Sequence, residues 1–278
     1  MKNKNKLSFI KRFGWLILIG LVLLIGLYSY FVEPKLLGVK SFVYGGEQVP
    51  DEFIGKKIVF LSDLHFGVGN LDYGKIVEKV NDEKPDIIIL GGDYIDRDPK
   101  FIDECVSYLE KLKAPFGVYA VFGNHDNRRK VLPGLKAALS KTDIKIINNE
   151  SFWINAGSSR IRIGGVGDLD TDDQLIKKTT AGVSREELII LASHNPDYFE
   201  SLVGNEVDLV FSGHVHGGQM NFFRLWYPIS VTAYGKKFMN SLVEEKGISI
   251  FTSNGIGMTA LPLRFSARPD IISVTLEK

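Results

Sequence analysis

Five times this chain runs through a short stretch of β-branched and aromatic residues and stops at Gly, Asp, Asn or His. The stretches are KIVFLSD (57–63), DIIILGGD (86–93), VYAVFGNHD (118–126), ELIILASHN (187–195) and VDLVFSGHVH (207–216). Each is too short for a helix and apolar throughout, as strands covered on both faces are. Between them, LDYGKIVEKVNDE (71–83), KFIDECVSYLEKL (100–112) and VLPGLKAALSK (131–141) carry helical spacing. SHNPDYFESLV offers Asn195 as an N-cap and Pro196 at a first helical position. VKSFVY (39–44), IKIINNE, FWINA, RIRIGGVG, ISIFTSN and IISVTLE read as further strands. The pattern predicts an α/β domain in which two sheets pack together with helices outside. The polar closures put the chemistry at strand ends, where open α/β sheets bind their ligands.

All five histidines fall in such closures or in short motifs like them: His65 in SDLHFG, His125 in GNHDNRR, His194 in ASHNPD, and His214 with His216 in SGHVHGGQ. GGDYIDRD adds Asp93 and Asp96. Imidazole and carboxylate together hold divalent transition metals. Cys105 is the only cysteine, so no intrachain disulfide and no thiolate metal cluster can form. Its place in an apolar helical pattern is that of a small core residue.

From Phe13 to Val32 the chain carries no charge. A helix of that length spans about 30 Å, the thickness of a bilayer core. Trp15, Tyr28 and Tyr30 stand near its ends, as interfacial aromatics do. No small-residue cleavage site follows, so the segment is expected to remain as an anchor. Lys2, Lys4, Lys6, Lys11 and Arg12 precede it, which predicts a cytoplasmic N-terminus and a catalytic part outside. Those five charges turn a net +1 into about −4 on the remainder, which argues against nucleic acid as the main partner. The expected organisation is a basic N-terminus (1–12), a transmembrane anchor (13–32), a juxtamembrane link with a first strand (33–55), and a catalytic domain (56–278).

D-x-H, G-D-x-x-D, G-N-H-D, an isolated His and G-H-x-H, in this order, resemble the calcineurin-like metallophosphoesterase superfamily from about Lys56 to the C-terminus. GGQ and SNGIGMTALPLRFSARPDI further resemble its membrane-anchored bacterial branch. The resemblance implies a four-layer α/β/β/α sandwich holding two divalent ions, Mn²⁺ first, with Zn²⁺, Fe or Co²⁺ also suited to ligands of this kind. One ion would take Asp63, His65, the bridging Asp93 and His216; the other would take Asp93, Asn124, His194 and His214. An extended backbone at G-H-x-H would send His214 and His216 to the same side of a strand. His125 resembles the family's non-ligand histidine, which protonates the leaving oxygen or stabilises the phosphoryl group, and Asp96 the carboxylate that orients it. Asp126 is expected to brace its loop. Arg128 and Arg129 either bind the substrate phosphate or form a solvated pair; Gln219 and Asn221 are further candidate substrate contacts.

MNFFRLWYPI (220–229) breaks the polar rule for a loop after an active-site strand. Phe222, Phe223, Trp226 and Tyr227 either pack in the core or form an apolar patch near the metals or at a membrane interface. The expected function is that of a membrane-anchored phosphodiesterase or pyrophosphatase acting on a lipid-linked or cell-envelope compound. Relatives of this branch are associated with cleaving UDP-2,3-diacylglucosamine in lipid A synthesis, a cytosolic reaction that the charge-based topology opposes. A phosphomonoesterase or protein phosphatase with the same metal core is the alternative, and a metal-binding scaffold without activity is the reading from another class.

Overall fold

The computed structural model describes residues 2–128, 130–222, 226–227 and 231–278, with side chains described from residue 13 onward. Helix α1 runs from Lys2 to Phe31 and is followed by strand β1 (Gly38–Gly45). The strand–helix alternation read from the sequence comes next: β2 (Lys57–Leu61), α2 (Tyr73–Asp82), β3 (Ile87–Leu90), α3 (Ile102–Leu109), β4 (Val118–Ala120), α4 (Leu132–Leu139) and β5 (Lys145–Ile146). The second half holds β6 (Ser151–Ala156), β7 (Ser159–Gly165), a short α5 (Lys177–Thr180), β8 (Ile189–Ala192), β9 (Leu209–Ser212), β10 (Leu242–Glu245), β11 (Ile248–Thr252) and β12 (Asp270–Glu277).

Two six-stranded sheets result, ordered β1-β12-β2-β3-β4-β5 and β10-β11-β9-β8-β7-β6. Strands β2 to β5 are parallel, as are β7, β8, β9 and β11. Alternation along each strand builds the layers, because successive side chains point to opposite faces. Ile58, Phe60, Ile87 and Ile89 face the space between the sheets, where they meet Ile163, Ile190, Leu209 and Phe211. Val59, Leu61, Ile88 and Leu90 face outward onto Cys105, Leu109 and Leu135 of α3 and α4. The rings of Phe60 and Phe211 lie 5.6 Å apart across the sandwich and those of Phe211 and Phe251 5.4 Å apart. Burying side chains of this size stabilises by about 1.5–3 kcal/mol each. Asp72 caps α2, accepting the Lys75 N–H at 3.1 Å.

The four layers are therefore present, but the outer layer over the second sheet is thin. It consists of α5 and of 3-10 turns at Pro196–Ser201 and Lys237–Met239. Asn195 does cap its segment, its side chain accepting the Asp197 N–H at 3.0 Å, yet a six-residue 3-10 turn follows, not an α-helix.

Strands β1 and β12 run against β2 (Gly38 pairs with Asp270, Ile272 with Phe60), so β1 begins at the end of the sheet where β2, β3 and β4 finish. Helix α1 thus meets the domain at the end that carries the histidine motifs. Its stretch from Phe13 is long and apolar enough to cross a membrane, with a mean hydropathy of 2.4, and only 6% of that stretch is buried against the rest of the chain. At its C-terminal turn the Ser29 carbonyl accepts the Arg264 N–H at 2.9 Å, and just beyond it the Glu33 carboxylate accepts the Ala267 N–H at 2.6 Å. Both Ser29 and Glu33 are buried.

Candidate metal centre

The motif residues stand where the strands turn sharply. Asp63 and His65 follow β2, Asp93 follows β3, Asn124 and His125 follow β4, His194 follows β8, and His214 and His216 follow β9. Asp63, His65, Asp93, His214 and His216 all adopt left-handed backbone, with φ of 54°, 45°, 54°, 67° and 50°. Non-glycine residues hold this conformation at a cost, and such strain gathers at functional sites. The G-H-x-H expectation is corrected here. His214 and His216 lie past the end of β9 in a turn with positive φ, so extended alternation does not set their directions. His216 faces His65, with ring centroids 4.9 Å apart, and His214 faces His194 at 5.1 Å. Two glycines permit the crowding: a Cβ on Gly123 would land on the Asp93 carboxylate, and one on Gly213 on Ser62 and Asp63.

Among the described residues, three groups of side chains converge, one of them His65, Asp96 and His125. In the other two, Asp63, His65 and His216 bring one ligand atom each to within 4.8 Å of one another, and so do Asp63, Asp93 and His194. One carboxylate oxygen joins them: Oδ2 of Asp93 lies 3.5 Å from Nε2 of His65 and 3.4 Å from Nε2 of His194. Nε2 of His216 lies 3.4 Å from Oδ1 of Asp63 and 3.1 Å from Nε2 of His65. Asp63, His65, Asp93, His194 and His216 are all buried.

These groups fit divalent cations on their own chemistry. Nδ1 of His194 donates to the Gly91 carbonyl at 2.7 Å, which leaves an Nε2 lone pair turned toward a carboxylate with no hydrogen-bond partner. The Asn124 amide oxygen is likewise buried without one. Buried polar atoms are ordinarily paired, so acceptors aimed at one another suit a cation between them.

His125 lies in the group with His65 and Asp96. Nδ1 is 3.0 Å from the Asp96 carbonyl and 3.2 Å from Oδ1 of its carboxylate, while the backbone N–H donates to Asp93 at 2.8 Å. Burial works against charge on this imidazole, but the Asp96 hydrogen bond and the Asp93 charge outweigh it and raise its pKa above the ordinary value. Burial also opposes charge on Asp96. Its hydrogen bonds to His125 and His65 prevail and hold it well below the usual carboxylate range. Arg128 donates to the Asp96 carbonyl.

Gln219 departs from its expected role. Its amide nitrogen donates to the Thr259 and Leu261 carbonyls at 3.0 Å each, and its oxygen accepts the Thr259 N–H at 2.9 Å, so it holds the 259–261 loop. Asn221 is buried and donates to the Gly217 carbonyl at 3.1 Å. Arg129 and Phe223 lie outside the described residues. Trp226 is 61% exposed and stacks on Phe222, which packs on Phe265, which in turn meets Tyr28 of α1. Of the two alternatives for this segment, Trp226 takes the surface and Tyr227 packs against the outer core.

Three supporting residues stand out. Asp126 braces as expected, accepting the N–H groups of Asp93, Tyr94, Ile95 and Gly123 at 2.6 to 3.3 Å. Arg264 is fully buried, donates to the carbonyls of Asn254, Gly255, Gly257 and Ala267, and places Nη2 3.5 Å from Nδ1 of His216. Asp168 is fully buried, with Oδ2 unpartnered, and its charge acts on both His194 and His214. Sequence reasoning passed over Asp168, although RIRIGGVGD closes on Gly-Asp as the chosen runs do.

Residues 56–218 match the calcineurin-like phosphoesterase family. The uncharacterized metallophosphoesterase YkuE of Bacillus subtilis is 30% identical over 100% of this chain and 99% of its own length. One from Aquifex aeolicus is 31% identical over 92% and 98%. A transmembrane protein with metallophosphoesterase domain from Danio rerio is 25% identical over 95% of this chain, which spans 62% of that protein. The NAD nucleotidase of Haemophilus influenzae has the same fold, with a TM-score of 0.52 at 14% identity over 72% of this chain and 45% of that one. On its motifs, its layered sheets and this full-length kinship, the chain belongs to the calcineurin-like phosphoesterase family and is a metal-dependent phosphoester hydrolase.

Proposed function

We propose that the protein is a membrane-tethered, two-metal phosphodiesterase or pyrophosphatase whose substrate is a lipid-linked or cell-envelope phosphoester. The observation that carries this reading is the meeting of the apolar helix α1 with the domain at the motif-bearing end of the first sheet; with α1 in a bilayer, that end would face it. In this reading Asp63, His65, Asp93 and His216 hold one cation, and Asp93, Asn124, His194 and His214 the other. Bound there, divalent cations, with Mn²⁺ the first expectation, would supply Lewis-acid polarisation of the phosphoester and a nucleophile at neutral pH.

The remaining roles belong to this chain's own groups. Asp96 holds Nδ1 of His125, so Nε2 is free to pass a proton to the leaving oxygen. Arg128, tied to the Asp96 carbonyl, has further N–H groups for a phosphate oxygen. The five basic residues before α1 support an orientation with the catalytic domain on the outer side of the membrane. A UDP-2,3-diacylglucosamine-type pyrophosphate combines the lipid and the phosphoester that this reading requires, but needs the opposite orientation.

The test uses the full chain in detergent, stripped of metal and reloaded, with bis-p-nitrophenyl phosphate and p-nitrophenyl phosphate as substrates. Metal-dependent diester cleavage is expected, falling about 10²- to 10⁴-fold in His125→Ala with metal content unchanged. Cleavage of the monoester alone would move the assignment to a phosphomonoesterase.

A further inference from the structure

Beside the ligand-bearing end of the first sheet lies a half-open cavity of about 850 Å³. It adjoins the metal ligands without containing them. Its lining includes Phe66, the residue after His65, and Pro34, Lys35 and Leu37, where α1 gives way to β1. The volume falls within the range of about 300–1,000 Å³ that small-molecule sites occupy.

One wall is aromatic, while Asn70, Asp72 and Glu104 are among the polar residues that line the rest. Phe66 stacks on Tyr73 with centroids 3.6 Å apart and planes 14° from parallel, and Tyr108 closes the wall at 5.9 Å from Tyr73 and 6.0 Å from Phe66. The Tyr73 hydroxyl donates to the Leu64 carbonyl at 3.1 Å, which turns its polar tip toward the backbone. Three lysines and two acids also line the cavity. Lys75 pairs with Asp72 at 3.2 Å, and Lys35 and Lys79 are the other two lysines. An aromatic wall beside lysines matches the two parts of an anionic lipid, because lysine heads at a bilayer interface favour phosphate while apolar surface takes the chain.

We infer that this cavity seats an acyl chain of the lipid-borne phosphoester, admitted from the bilayer past Pro34–Leu37, while the phosphoester lies at the metals. The inference rests on the membrane-tethered reading above. Its occupant follows from continuity: the lining joins the exit of the one described helix able to span a membrane to Phe66, which is covalently next to His65.

The experiment places the full chain in lipid nanodiscs containing phosphatidylglycerol with a diazirine at the end of one acyl chain. After irradiation, adducts are mapped by peptide mass spectrometry. Adducts are expected within residues 66–76 and 101–108 as well as along 13–32. The double variant Asn70→Trp/Glu104→Trp, two exposed positions lining the cavity, is expected to cut the cavity adducts several-fold. It should leave adducts on 13–32 and bis-p-nitrophenyl phosphate turnover unchanged. Adducts confined to 13–32 and the Trp226 region, or cavity adducts indifferent to the double variant, would overturn the acyl site. Cavity labelling without metal-dependent turnover would uphold the acyl site and sink the hydrolytic reading, so the two fail separately.

Discussion

Arg264 is a buried cation surrounded by backbone carbonyls, and its importance lies in what its loss would leave behind. Burial lowers its pKa to about 10, with Asp270, Asp63 and Glu33 opposing, so it stays charged at neutral pH. Arg264→Leu would strand the carbonyls of Asn254, Gly255, Gly257 and Ala267. It would also loosen the strip in which the Gly257 N–H donates to the Asp63 carbonyl at 2.6 Å. We expect a loss of about 3–5 kcal/mol in urea unfolding, together with weaker metal retention at the His216 side. Unchanged stability in that variant would show the carbonyls to be satisfied some other way. The histidine motifs could be read in sequence because their chemistry demands those residue types. Arg264 could not, since arginine is ordinarily exposed and nothing in LPLRFSARPD turns it inward.

At the scale of elements, the strand ends were legible and the conformations beyond them were not. Continuous apolar runs marked the starts of β2, β3, β8 and β9 to within two residues, because these strands are covered on both faces. The left-handed turns at His214 and His216 depend on Gly213 fitting against Ser62 and Asp63, some 150 residues away in sequence, which no local pattern contains. The start of β9 carries a measurable consequence of burial. Asp208 accepts the Ile189 N–H at 2.7 Å, yet burial, the larger effect, raises its carboxyl to about 6. A folded value above the unfolded one means that the fold favours the protonated form. Stability is therefore full below about pH 4 and declines as pH rises through about 6. Asp208→Asn keeps an oxygen for the Ile189 N–H and removes the charge. It should be more stable than the parent at pH 8, by about 1–2 kcal/mol after allowance for partial exposure, and equal to it at pH 4. Equal denaturant midpoints at both pH values would refute the assignment.

For the whole molecule, the candidate metal centre is the seam between the two sheets, with motif residues following β2, β3 and β4 on one side and β8 and β9 on the other. Cations held there would act as a clasp between the sheets, and their removal would leave buried carboxylates and imidazoles facing one another. Metal at about a thousand times its dissociation constant adds about 4 kcal/mol per site. Chelation of the full chain in detergent should then lower the melting temperature by about 10 °C or more, with helix content retained. A melting temperature indifferent to chelator would mean that the cluster is stable without cations.

The residue types at the strand ends, the strand–helix alternation and the apolar N-terminal helix follow from the amino-acid sequence alone, because each is written in local periodicity or in side-chain chemistry. Other features were decided only when the chain closed on itself. His65 meets His216 across 151 positions, Asp93 comes to stand between two imidazoles, and Arg264 goes inside. Strands β1 and β12 return against β2, which brings α1 to the catalytic end. These depend on strand order and on the joint burial of four sheet faces, and such long-range contacts are settled by packing across the whole core rather than by any segment within it.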